Sequence, residues 1–304
     1  MKIIVDNLCR SFGNIRALDG VSFEIPDGAV CGFVGTNGAG KTTALRIMAG
    51  LDTPDCGSVF FDQLSATDYP EQIPAIAGFM PDTLVNAHNI RVREYLDFFA
   101  RAFQLCGREK EAAFHRVSEY TMLDRPLSAL SKGMKQQVSL ARVLIHDPPV
   151  LLLDEPAAGL DPRARVTLRE SLSRLAQTGK TILISSHILS ELEEMISSVI
   201  ILERGKITWQ GAPGNTPVSS QPRALLTFRC SAESVLETLG KYPFVTGIRQ
   251  TGPRQIELTF SGGEADFAEH MAEIFRSGPP ILAMSRPDLS LEGMFLEKTT
   301  GEVQ

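Results

Sequence analysis

No apolar run in this chain approaches the roughly 18 residues that a helix needs to cross a bilayer. Any membrane role is therefore expected to come through a partner chain. The segment MKIIVDNLCR, broken by Asp6 and Arg10, does not read as a signal peptide. Cysteine is scarce and scattered. The five residues Cys9, Cys31, Cys56, Cys106 and Cys230 contain no C-x-x-C pair. Their odd number and wide spacing suit neither a zinc site nor a disulfide frame, and predict reduced thiols in a cytoplasm. Positive charge is not in excess either: 30 Lys and Arg stand against 36 Asp and Glu, a net charge of −6. Proteins that bind nucleic acid or anionic lipid rely on a basic face, so no nucleic-acid partner is expected. At 304 residues, 43% hydrophobic and 22% charged, the chain can bury the cores of two globular domains.

What the chain does contain is the run Gly35–Thr43, GTNGAGKTT, with the spacing G-x-x-x-x-G-K-[ST]. It lies between a strand-like run, Gly28–Val34, and a helix-like run, Thr43–Gly50. In that setting the glycines Gly35, Gly38 and Gly40 let successive backbone N–H groups turn toward one point and wrap a polyphosphate. Thr36, Asn37, Ala39 and Thr43 complete the loop, and the following helix adds the positive end of its dipole. Lys41 reaches the β- and γ-phosphates, and the Thr42 hydroxyl binds Mg²⁺. The motif predicts binding of a nucleoside triphosphate.

The rest of the first half alternates strand-like and helix-like segments. Ile3–Leu8, Val21–Ile25, Ala29–Val34, Ile76–Met80, Val150–Asp154 and Thr181–Ser185 read as strands, several apolar throughout as if buried on both faces. Arg93–Leu105 and Glu109–Met122 read as amphipathic helices, and Pro162–Thr178 completes a βαβ unit. The pattern predicts an α/β nucleotide-binding core over 1–215, with a helical insertion over about 82–145. The Pro-, Gly- and Ser-rich run Gly211–Arg223 reads as a linker, centred on 216–223. In a second domain over 224–304, residues 224–286 give the order β-α-β-β-α-β, the ferredoxin-like order, followed by a short helix at Leu289–Lys298. Its second helix, Glu264–Arg276, is expected to put Phe267, Met271, Ile274 and Phe275 on one apolar face.

Asp154 and Glu155 follow the apolar strand at Val150–Leu153. A carboxylate at the carboxyl end of a buried parallel strand faces the same edge as the phosphate loop. Asp154 is thus placed to hold Mg²⁺, and Glu155 to polarise water against the γ-phosphate as general base. Three further motifs occur in order. Leu130–Gln137, LSKGMKQQ, resembles the signature of ATP-binding cassette (ABC) proteins, usually LSGGQ. Ala158–Asp161, AGLD, resembles the family's D-loop. His187, after Ile182–Ser186, resembles its switch histidine at the γ-phosphate. Phe12 stands where the family places an aromatic ring that stacks on adenine. The resemblance covers residues 12–187, about two-thirds of the chain.

The resemblance implies a P-loop NTPase cassette with a mixed, largely parallel sheet, acting as an ATPase with Mg²⁺. It implies a head-to-tail dimer, with this chain or a paralogue as partner, in which Ser131, Gly133 and Asp161 face the opposite chain's ATP. It also implies a separate transmembrane permease, with the chain peripheral on the inner face of the membrane. The tail, SLEGMFLEKT, resembles ATPase subunits of ABC-2-type exporters, the group that includes daunorubicin-resistance pumps. An ATP-sensing regulator and a soluble ABC ATPase without a transport role are the alternatives. Two departures from the family stand out. Asp82 replaces the usual Q-loop glutamine; it retains oxygen donors for a metal but has no amide donor. Lys132 and Met134 replace Gly and Gln in the signature, adding a positive charge beside the expected phosphate.

Overall fold

The computed structural model describes residues 1–83, 90–187, 195–212 and 222–286. The chain divides into two compact units, Met1–Gly211 and Ala212–Gln304. In the first unit, β1 (Ile3–Phe12) and β2 (Ile15–Ile25) form a hairpin, followed by β3 (Val30–Val34) and helix α1 (Lys41–Met48). Next come β4 (Cys56–Phe61), β5 (Leu64–Ser65), one turn of α2 (Ile73–Ile76) and β6 (Ala77–Met80). The helical segment contributes α3 (Val92–Ala102), α4 (Gly107–Ser118) and α5 (Lys132–Leu144). The unit closes with β7 (Val150–Leu153), α6 (Pro162–Gln177), β8 (Thr181–Ser186), β9 (Ser198–Glu203) and β10 (Lys206–Gly211).

These strands make two sheets. The larger has the order β10-β9-β3-β8-β7-β6, parallel from β9 through β6, with β10 antiparallel on the edge. Every residue of β3, β7 and β8 is buried, which is why these strands are apolar almost throughout: neither face meets water. The smaller sheet, β2-β1-β4-β5, is antiparallel. Its buried residues Ile3, Leu18, Ile25 and Phe61 join Phe33, Leu152 and Leu183 of the larger sheet in one cluster with Leu45 and Met48 of α1. Helix α1 is therefore fixed by apolar contacts from both sheets, and with it the loop that precedes it.

The helical segment follows from local pattern. In α3, Val92, Leu96 and Ala100 recur every fourth residue and are buried, whereas Phe98 on the other face is exposed. The Glu94 carboxylate accepts the backbone N–H of Arg91, a capping interaction that closes the first turn. Ser131 caps α5 by accepting the Met134 N–H at 3.3 Å. Arg142, near the end of α5, donates to the Phe79 carbonyl at 2.7 Å and ties that helix to β6.

In the second unit, β11 (Arg223–Phe228), α7 (Glu233–Leu239), β12 (Val245–Gly252), β13 (Gln255–Phe260), α8 (Glu264–Ser277) and β14 (Ile281–Ser285) follow one another. The sheet order β12-β13-β11-β14 is antiparallel throughout, the ferredoxin-like arrangement. Alternate residues Leu226, Phe228, Ile256, Leu258 and Phe260 are buried with Phe267, Met271 and Ile274 of α8.

Four expectations need correction. Phe275 is exposed rather than on the buried face of α8: it follows Ile274 by one residue, about 100° around the helix. Gly211 and Arg223 belong to strands β10 and β11 rather than to the linker, whose residues 213–221 lie outside the described residues. Ile76 ends α2 instead of opening a strand. Strands β4, β5, β9 and β10 are additional to those read from the sequence. The expected helix at 289–298 lies outside the described residues.

Leu152 is fully buried in the middle of β7. Leu152→Ala should therefore destabilise the first unit by about 2–5 kcal/mol. Urea unfolding followed by tryptophan fluorescence should show a lower midpoint at unchanged slope; a loss below about 1 kcal/mol would contradict the packing described.

Candidate functional site

The phosphate-loop segment starts where β3 ends and closes where α1 begins, and its glycines are imposed by space. A Cβ on Gly35 would lie 2.3 Å from the Leu202 carbonyl, and one on Gly40, at φ +110°, 2.3 Å from the Ala17 carbonyl. No side chain caps the first turn of α1, and that turn contains no acidic residue. Its N–H groups and dipole end are thus directed at the loop. The Lys41 ammonium, 6% exposed, donates to the carbonyls of Gly35 (2.7 Å) and Thr36 (3.2 Å) and pairs with Glu155 at 3.3 Å.

Asp154 sits just past β7, and its backbone N–H is held by the Met80 carbonyl of β6. Its carboxylate accepts the Thr42 hydroxyl at 2.7 Å and the Ser185 hydroxyl at 2.6 Å. Burial pushes the Asp154 carboxyl above the ordinary carboxylate range, while the two hydroxyls work in the opposite direction. The neighbouring charges of Asp82 and Glu155 add to the upward push.

Glu155 adopts φ +47°, a left-handed conformation that costs a non-glycine residue of order 1 kcal/mol or more. Its backbone N–H donates to Ser185 Oγ at 2.8 Å. Its side chain meets His187 Nδ1 at 2.8 Å through the carboxylate oxygen not facing Lys41. One carboxylate therefore touches both the phosphate-loop lysine and the histidine beyond β8. Ser185 was not singled out from the sequence, yet its hydroxyl bridges Asp154 and the Glu155 backbone. The available signal was the pair Ser185 and Ser186 closing an apolar run in a fully buried strand.

A cavity of about 460 Å³ is lined by Asn37, Asp82, Lys132, Gln136, Glu155 and His187, among others. Gln136 of α5 donates to the backbone carbonyl of Asp82 at 2.9 Å, a link between the signature helix and the Q-loop position that the sequence reading did not identify. Phe12, at the end of β1, is about half exposed with the Arg10 guanidinium 4.8 Å above its ring. Gly133 packs so tightly that an added Cβ would lie 2.9 Å from Ala164 Cβ. Asp161 caps α6 by accepting the Ala164 N–H at 2.9 Å. The ammonium of Lys132 lies over Gly159 of the same chain, where a Cβ would meet it at 2.2 Å. Thus Lys41, Thr42, Asp154, Glu155 and His187 form one connected group. Ser131, Gly133 and Asp161 order the starts of α5 and α6.

Residues 18–158 match the family model described as ABC transporter. A Nod factor export ATP-binding protein I of Paraburkholderia xenovorans is 32% identical, over 98% of this chain and 97% of its own length. The chain belongs to the ABC transporter family. Its counterpart of the same name in Burkholderia thailandensis is 38% identical over 97% of the cassette chain and 96% of its own. A solved ATP-binding subunit of an ABC transporter shares the fold with a TM-score of 0.63 and 29% identity, covering 70% of this chain and 90% of that one. As an ABC protein, the chain binds and hydrolyses ATP.

The upward shift of Asp154 sets a sign. A carboxyl with a raised native pKa binds more protons in the folded than in the unfolded state between the two pKa values. Its contribution is therefore most favourable at low pH and is lost as pH rises through the native value. Asp154→Asn removes this slope, because the amide has no charge to bury. The melting temperature of the variant minus that of the wild type should grow from about pH 4 toward neutrality, while ATPase activity is lost. A difference that is constant over this range would contradict the burial argument.

Proposed function

We propose that this cassette is the ATP-hydrolysing subunit of an exporter and works as a head-to-tail dimer on a separate transmembrane permease. The observation that carries the reading is the connected group of Lys41, Thr42, Asp154, Glu155 and His187, with contacts of 2.7–3.3 Å along Lys41–Glu155–His187 and Thr42–Asp154. The loop amides of 35–40 and Lys41 bind the β- and γ-phosphates, and Phe12 stacks on adenine. Thr42 and Asp154 supply a hydroxyl and a carboxylate oxygen 2.7 Å apart, hard donors suited to Mg²⁺. Asp82, close enough to bear on Asp154, is a further oxygen donor. The metal, when bound there with the nucleotide, offsets phosphate charge.

Glu155 acts as general base. Its strained backbone and the Ser185 hydroxyl fix its direction, and His187 Nδ1 holds one carboxylate oxygen. In the dimer, Ser131 and the amino end of α5 meet the γ-phosphate of the opposite chain. The first turn of α5 carries no acidic residue, and Lys132 adds charge of the right sign. ATP then joins the two chains, and loss of the γ-phosphate releases them. Among the described residues no helix is long and apolar enough to cross a membrane, which fits a permease on a separate chain. Export is the role named for the relatives, and the permease selects the cargo. The ferredoxin-like second unit supports a place in the ABC-2-type group, with a role in docking or in stabilising the dimer.

Glu155→Gln should retain ATP, lose hydrolysis by a factor of about 100 or more, and accumulate as an ATP-bound dimer in light scattering. A monomer at millimolar Mg-ATP, with or without permease, would sink the sandwich reading. Affinity purification from detergent-solubilised host membranes should recover a multi-span protein in stoichiometric amount; recovery of ribosomes or of the chain alone would refute the transport role.

A further inference from the structure

The cysteines are far apart in sequence, but the first sheet brings two of them together. Cys9 of β1 and Cys56 of β4 are register partners across the antiparallel ladder. Such partners have Cα atoms about 4.5–5.5 Å apart, inside the range of about 4.4–6.8 Å that a disulfide spans. The register shifts between Asp6 and Cys9, and the backbones approach closely at this point: a Cβ on Gly57 would lie 2.3 Å from the Asn7 carbonyl. Both thiols turn to that same carbonyl, each with its sulfur 3.6 Å from Asn7 O. Cys56 is exposed and Cys9 is buried, with Arg16 Nη2 at 3.8 Å from the Cys9 sulfur. The contact with Cys56, and after it Arg16, lowers the Cys9 pKa against the effect of burial, while the same contact raises that of Cys56. By contrast, burial pushes Cys31 up to about 12.

We propose that Cys9 and Cys56 form a reversible dithiol–disulfide site that stiffens the strand end carrying Phe12. Cys56, as thiolate, attacks one sulfur of a low-molecular-weight disulfide and expels one thiolate. Cys9, as thiolate, then attacks Cys56 Sγ in the mixed disulfide and expels the second. Two protein thiols are oxidised, one small disulfide is reduced to two thiols, and the two protons pass to the leaving thiolates. The bond joins β1 to β4 three residues before Phe12. That end is already strapped to the chain entering β4: Arg10 pairs with Asp52 (2.8 Å) and Asp55 (3.1 Å), and the Ser11 N–H donates to Asp55 at 2.6 Å. Fixing both strands lowers the ordering cost of stacking adenine on Phe12; this consequence rests on the reading of Phe12 as the adenine platform.

The test is oxidation of the full chain with oxidised glutathione, followed by thiol counting and peptide mass spectrometry. Loss of two of the five thiols, with the Cys9 and Cys56 peptides joined and the bond reversed by dithiothreitol, is expected. A stable glutathione adduct on Cys56 with Cys9 still free, or a different pairing, would overturn the site. Cys56→Ser, at an exposed position, should abolish the joined species, and Cys106→Ser should retain it. Oxidation should also lower the Kd for a fluorescent ATP analogue about threefold or more, an effect absent in Cys56→Ser. An unchanged Kd in a disulfide-bonded chain would overturn the link to Phe12. Absence of ATP binding in both redox forms would instead overturn the nucleotide reading, which the thiol count does not depend on.

Discussion

The buried carboxylate of Asp154 is the point on which the site depends. It closes three connections at once: its backbone to β6, its first oxygen to Thr42 at the start of α1, and its second to Ser185 at the end of β8. An ionised carboxyl is costly to bury, and the two hydroxyl donors offset part of that cost. The same cost makes the site sensitive to charge: a divalent ion held by Thr42 and Asp154 would reduce it. The apolar cluster holding α1 between the two sheets keeps Thr42 in reach of the carboxylate. Stability and chemistry therefore meet in one residue.

Around this point, contacts connect the phosphate loop to the neighbouring strand ends and to α5. Glu155 touches Lys41 on the loop side and His187 on the strand side, so its environment changes whenever phosphate charge arrives or leaves. On the wall of the same cavity, Gln136 holds the Asp82 backbone. The signature helix and the Q-loop position are thereby linked within one chain. This bond gives the substitution of glutamine by Asp82 a physical setting: the amide role at the Q-loop is lost from the side chain, while an amide from α5 engages its backbone. Lys132 follows a similar logic. Its ammonium rests on the D-loop glycine of its own chain, so the departure from the usual signature couples two neighbouring motifs as well as adding charge.

The second unit solves a separate folding problem with an antiparallel sheet and helices α7 and α8, and its core is its own. The central strands β11 and β13 show the alternation plainly, with every second residue buried.

The phosphate loop, Asp154, Glu155 and His187 were legible in the sequence because their chemistry demands fixed spacing beside apolar strands. The ferredoxin-like order was legible for the same reason, through periodicity. Phe275 was misplaced because a helix face about 100° wide cannot be resolved by composition when two apolar residues are adjacent. Strands β4, β5, β9 and β10 were missed because their identity lies in pairing: β9 carries the same apolar run as its neighbours, and only the ladder to β3 makes it part of the sheet. Ser185 and Gln136 are polar side chains whose partners are 31 and 54 residues away, and no local pattern announces a distant acceptor. Cys9 and Cys56 make the point most sharply. Residue types and spacing determined the nucleotide chemistry, since that chemistry is local to strand ends and turns. Which distant side chains share a hydrogen bond, a cavity or a pair of facing thiols was decided only by strand register, because register alone sets which residues of a folded chain stand opposite one another.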